Sequence, residues 1–177
     1  MERLLVTLAD SPDDLASWSV YADLLQSRSE PRGELISMML QRAQHPSPRL
    51  FEAQRRYLAS HAAALVPEAL GDATRRVWRH GFVTELRIEQ PEDLAMLGEP
   101  ALRFVDAVTL AIEGERWPEW QAACAGQRWP WRRLVVELVN PPEELALEAI
   151  FACAPAVETA RIQFSEDEAG ALVWKRV

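Results

Sequence analysis

The stretch Trp131-Arg132-Arg133-Leu134-Val135-Val136 decides how the second half of this chain is read. Its apolar residues Trp131, Leu134 and Val136 follow an apolar-x-x-apolar-x-apolar spacing. The same spacing recurs at Val83/Leu86/Ile88, Val105/Val108/Leu110 and Val157/Ala160/Ile162. The last two members of each triplet stand two residues apart, the period of a strand with one buried face. Successive clusters are offset by 22, 26 and 26 residues. Between them, 91–98, 117–125 and 142–153 read as helices, the last opening on Pro142 and two glutamates as a helix start should.

A strand–helix unit repeating every 20–29 residues or so is the mark of a leucine-rich-repeat solenoid, in which no unit buries its apolar face alone and neighbours must stack. An ordinary small α/β sheet also alternates strands and helices. The asparagine that bonds the turn backbone in such repeats is missing here: Pro91, Glu113, Val139 and Ser165 hold its place, with Asn140 one position late. The tail 170–177 reads as a further strand returning antiparallel to 157–164 after the polar turn 165–170, terminating the apolar face. The expected fold class is therefore α/β. An N-terminal helical cap precedes a short leucine-rich-repeat-like strand–helix solenoid with parallel strands and a C-terminal capping strand. The domains are expected at 1–77 (cap) and 78–177 (stack).

The first part reads as helices. Ser11-Pro12-Asp13-Asp14 predicts a start, with Ser11 as cap, Pro12 at the first helical position and acids facing the positive end of the dipole. Leu15, Trp18, Tyr21, Ala22 and Leu25 then form one apolar stripe. Pro31 and Gly33 interrupt it. A second stripe runs through Leu35, Ile36, Met39 and Leu40, and a third through Leu50, Phe51, Gln54, Leu58 and Ala62 to Leu65. Three packed helices are expected.

Within this region, Asp10-Ser-Pro-Asp-Asp-Leu, Val20-Tyr-Ala-Asp-Leu-Leu-Gln and Glu30-Pro-Arg-Gly-Glu-Leu-Ile together resemble the bacterial repeat-companion domain. That family shows an Asp-rich start, a Tyr-Ala-Asp-Trp-Leu core and Asp-Pro-Arg-Gly-Glu-Phe-Ile. Trp78-Arg79-His80-Gly81-Phe82-Val83 is similar to its linking motif before a first repeat strand. The resemblance covers 5–45 closely and 75–112 loosely, and departs from the pattern at Leu24 and Glu30. It implies a helical cap ahead of repeats and no enzymatic role. Physically, Asp23 and Arg32 are placed to pair across the helix–turn–helix, Gly33 lets the backbone turn closely, and Glu34 suits a helix first turn.

Composition narrows the function. Net charge is −8; residues 81–177 hold seventeen acids against nine bases, while residues 1–80 are balanced at ten each. An acidic surface repels phosphate backbones, so nucleic acid is not the expected partner. No stretch approaches the ~20 apolar residues of a membrane span, and Asp10 arrives too early for a signal-peptide apolar region. A cytoplasmic, membrane-free protein is expected. Cys124 and Cys153 have no CxxC or metal spacing and read as buried free thiols, with a disulfide or reactive thiol as the alternative. His45, His61 and His80 are isolated from one another. No phosphate-binding glycine loop or GxSxG elbow occurs, and the expectation is no catalysis, no cofactor and no metal.

Two surfaces can carry binding of a partner protein. Strand alternation leaves Glu85, Arg87, Glu89, Thr109, Ala111, Arg133, Val135, Glu137, Arg161 and Gln163 opposite the apolar triplets, on a mixed Arg/Glu face. Trp117, Trp120, Trp129 and Trp131 fall within fifteen residues, and a Trp-rich edge suits an interface as well as a core. The partner-binding residues expected are Arg87, Glu89, Arg133, Glu137, Arg161, Trp117 and Trp120. The alternative is a small-ligand binder or enzyme using Asp23, Arg32 and His80 between cap and first repeat. A homo-oligomer stays open.

Overall fold

The computed structural model describes residues 2–67, 70, 76–141, 147–164 and 171–175. The chain divides into two compact units, Met1–Glu68 with Trp78–Phe82, and Ala69–Val77 with Val83–Val177.

The first unit has four α-helices: α1 (Glu2–Asp10), α2 (Leu15–Gln26), α3 (Pro31–Gln44) and α4 (Pro48–Leu65). The sequence reading expected three and missed α1, which buries Leu5 and Leu8. The start of α2 is a second correction. Asp14, not Ser11, is the cap; its carboxylate accepts the Ala16 and Ser17 amides at 3.1 and 3.2 Å and the Ser17 hydroxyl at 2.6 Å. Ser11 donates its amide to Thr7 and accepts that of Asp14, so Ser11-Pro12-Asp13 makes the turn between helices. Leu15, Phe51 and Ala62 of the predicted stripes face solvent, while Gln54 is buried.

Gly33 explains how α2 and α3 approach: a Cβ there would stand 2.7 Å from both the Ala22 carbonyl oxygen and the Gln26 nitrogen. The expected Asp23–Arg32 pair does not form. Asp23 is exposed, and the Arg32 guanidinium donates to the carbonyls of Gly81 at 2.6 Å and Leu65 at 2.5 Å. It also lies 4.3 Å from the centre of the Phe82 ring. Two carbonyls give a planar fork fixed acceptors inside the unit, whereas an exposed carboxylate stays well hydrated. Glu34 does lie in the first turn of α3.

The sheet holds β1 (Arg76–Arg79), β2 (Phe82–Ile88), β3 (Ala107–Glu113), β4 (Arg133–Val139), β5 (Thr159–Phe164) and β6 (Ala171–Lys175), in chain order. His80 and Gly81, with φ of 45° and 76°, make the two-residue turn before β2. Both central residues left-handed is the tight-hairpin geometry that matches strand twist. Strands β2 to β5 run parallel, and β6 pairs antiparallel with β5, as the tail was read.

The pairing follows the sequence offsets. Leu86 lies beside Val108, Val108 beside Leu134, and Leu134 beside Ala160, steps of 22, 26 and 26 residues. The inward rows Ile88–Leu110–Val136–Ile162 and Ile112–Leu138 are buried, as apolar alternation requires. The expected helix 91–98 is a 3-10 helix, Pro91–Gly98, followed by a second 3-10 turn at Pro100–Leu102. This is the connection of the shorter step, and a 3-10 helix spans more length per residue than an α-helix. The helix read at 117–125 is α5 (Trp117–Cys124). Of the helix read at 142–153, α6 (Glu148–Cys153) is seen; 142–146 and the turn 165–170 lie outside the described residues. No described helix is long and apolar enough to cross a membrane.

Candidate interaction face

The second unit turns the other side of β2–β5 outward as rows fixed by register. One row is Glu85–Ala107–Arg133–Thr159, the next Arg87–Thr109–Val135–Arg161, and a third holds Ala111, Glu137 and Gln163. Of the predicted face residues, Arg87, Arg133, Glu137 and Arg161 are on this side, and Glu89, one residue past the end of β2, is bonded to Arg87.

The small residues of β3 leave room for side chains of β2 and β4 to meet above them. Glu85 accepts from Arg133 at 2.9 Å, directly over Ala107, which is thereby buried although it faces outward. Arg87 donates to Glu137 in the opposite sense and to Glu89 at 3.1 Å. The two β2–β4 pairs thus have reversed polarity. Partial burial works against the charge on Arg87, but the Glu137 and Glu89 carboxylates more than offset it and raise its pKa. Glu85, with Asp106 at 3.6 Å, does the same for Arg133. Arg161, exposed on β5, makes no ion pair among the described residues.

Around these side chains lies a groove of about 510 Å³. Val77, Ala107, Thr109 and Val135 contribute aliphatic surface to it, and Arg76, Glu85, Arg87, Arg133 and Arg161 line it with charge. Sequence reasoning missed Arg76, Val77, Ala107 and Thr159. Extending the period-two alternation by one step finds Ala107 and Thr159; nothing in the sequence before Trp78 marks Arg76 or Val77.

The tryptophan edge is corrected. Trp117 and Trp120 are 5% and 0% exposed, and Trp129 and Trp131, stacked with centroids 4.7 Å apart, are buried too. Trp117 and Trp120 sit three apart on α5, one face of a short helix, and that face turns into the core of the unit. They leave the set of surface residues.

In the first unit Arg32 is held by main-chain carbonyls, as above. His80 is buried against Trp18, ring centroids 4.9 Å apart, and burial and then Arg79 push its pKa down. A separate recess of about 610 Å³ is lined by Gln26, Ser29, Glu30, Pro31, Glu34, Tyr57 and His61. There Tyr57 stacks on His61 at 4.1 Å and donates to the Pro31 carbonyl, and burial followed by Glu34 raises its pKa. Cys124 and Cys153 are free and buried. Among the described residues no group of three or more His, Cys, Asp or Glu is arranged to hold a metal ion.

No protein-family model, no curated protein and no solved structure matches the chain.

Proposed function

We propose that this chain is a non-catalytic, cytoplasmic protein–protein interaction module. In this reading a repeat-companion-like helical cap is followed by a leucine-rich-repeat-like stack ended by β6, and the polar face of β2–β5 receives a partner protein. One observation carries it: a groove with an aliphatic floor and charged walls lies on a sheet face whose side chains are already held in place. Preorganised charged walls cost little ordering entropy on association and set specificity more than affinity. The cap reading draws support from the packing of its motif residues, since Tyr21, Arg32 and Gly33 all serve contacts within the first unit. The stack reading draws support from pairing steps equal to the sequence offsets.

A photo-crosslinking residue at Thr109, compared with the Arg87→Glu and Arg133→Glu variants, tests the proposal. The expected result is a crosslinked partner whose yield falls in both variants. The same partners at the same yield in all three proteins would remove the face from consideration. Light scattering decides in the same samples whether the partner is a second copy of the chain.

A further inference from the structure

Resting on that reading, we propose that the β4–β5 end of the face binds an acidic, extended segment of a partner protein, one carboxylate of which seats on Arg133, Thr159 and Arg161. Register makes these residues neighbours: Arg133 lies beside Thr159, and Val135 beside Arg161. The two arginines therefore occupy one diagonal of a two-by-two patch, with Cα atoms roughly 8 Å apart from strand spacing and rise. Two guanidinium forks and a threonine hydroxyl at that separation can close on a single carboxylate, which accepts up to about four hydrogen bonds.

Charge complementarity selects the occupant. The chain from residue 81 onward holds seventeen acids against nine bases, yet among the described residues the groove is lined by four arginines, at 76, 87, 133 and 161, and one carboxylate, Glu85, with Glu89, Glu137 and Asp106 paired to Arg87 and Arg133 beside it. Arg87 is taken up by Glu89 and Glu137 on the face itself. Arg133 keeps about half its side chain exposed, at 54%, beside its own partners. Arg161 is exposed and has no carboxylate of its own among the described residues. The β4–β5 end thus offers Arg161, a guanidinium not taken up by a carboxylate among the described residues, beside the half-exposed Arg133. Beside it, Val135 and Thr109 offer floor for an aliphatic side chain two residues along an extended peptide. A nucleic-acid strand would bring many phosphates against a chain of net charge −8, whereas a short peptide brings one or two carboxylates to the Arg133–Arg161 patch.

Fluorescence anisotropy tests this with three labelled probes and the full chain: an alternating Glu–Val peptide, its Gln–Val counterpart and a single-stranded oligonucleotide. The Glu–Val peptide is expected to bind, more weakly as salt rises through roughly 0.05–0.5 M. Arg161→Glu should weaken it at least about tenfold and Thr159→Val about threefold, with the circular-dichroism melt unchanged for these outward-facing positions. No binding of the Glu–Val peptide, equal binding of the Gln–Val peptide, tighter binding of the oligonucleotide, or an unaffected Arg161→Glu variant would each overturn the proposal. If the peptide fails while the Thr109 crosslink persists and still responds to Arg87→Glu, this inference falls and the interaction-module reading stands. Loss of both removes both.

Discussion

Gly114 lies so close to Asn140 that a Cβ on the glycine would fall 1.7 Å from the Asn140 carbonyl oxygen. The two residues continue the β3–β4 ladder one step past Glu113–Val139 and are equivalent positions of successive units. Asn140 is left-handed, with φ of 51°, a conformation asparagine tolerates better than most residues. Successive layers meet here backbone to backbone.

Gly114→Ala should therefore destabilise the protein by about 2–4 kcal/mol, because main-chain atoms cannot swing aside as a side chain would. Gly98→Ala is the control: an added Cβ there meets nothing within 4 Å. It should shift stability by less than about 1 kcal/mol. Urea unfolding of both variants measures this, and similar costs for the two would contradict the close approach.

Arg32→Lys should cost about 2–3 kcal/mol, since an ammonium cannot span the Gly81 and Leu65 carbonyls or lie flat on Phe82. Asp23→Asn, altering an exposed carboxylate, should change stability by less than about 0.5 kcal/mol. Equal losses would restore the Asp23–Arg32 pair expected from sequence.

Burial and the nearby Arg79 lower the pKa of His80 below its ordinary value of 6.5. The unfolded chain therefore takes up a proton before the folded one does. This contribution to stability is complete above pH 6.5 and is lost as pH falls through the lower, folded-state value. In His80→Asn, which keeps a side chain tolerant of positive φ, the decline in unfolding midpoint from about pH 7 to pH 5 should be shallower. An unchanged slope would assign the acid sensitivity to other groups.

A double-mutant cycle on Arg87 and Glu137 should give a coupling of about 0.5–1 kcal/mol, because both side chains remain partly exposed, at 21% and 34%. Charge reversal of both residues together should recover part of the loss caused by either alone. A coupling of zero would mean that the ion pair does not hold the face in shape.

Cys124 and Cys153 are each 1% exposed. The Cys153 thiol donates to the Ile150 carbonyl at 2.8 Å, and its interaction with Cys124 and its burial push its pKa up. Both thiols should resist an aromatic disulfide reagent in the native protein and react at once in denaturant. Rapid native labelling would show that the thiols reach solvent.

Parts of this structure were legible beforehand because they depend on periodicity. The triplet Trp131/Leu134/Val136 and its counterparts marked which side of each strand is buried, and each sequence offset became the matching pairing step. The tail strand followed from one apolar run after a polar stretch of sequence. Asp14 as cap was not legible: Ser11 and Asp14 are both good caps, and only the backbone shows which side chain reaches two amides. The tryptophans were ambiguous for a similar reason, since an anchor for a partner and an anchor for a core have the same composition.

The amino-acid sequence alone determined the two textures of the chain, the inward and outward faces of β2–β5 and their parallel order, because side-chain alternation and the 22- and 26-residue steps are local properties. Only the tertiary structure decided that Arg32 serves carbonyls rather than Asp23, that Trp117 and Trp120 are core, and that the face charges pair in opposite senses across β3. Those outcomes turn on which groups, tens of residues apart, come within hydrogen-bonding reach, and that distance is set by packing.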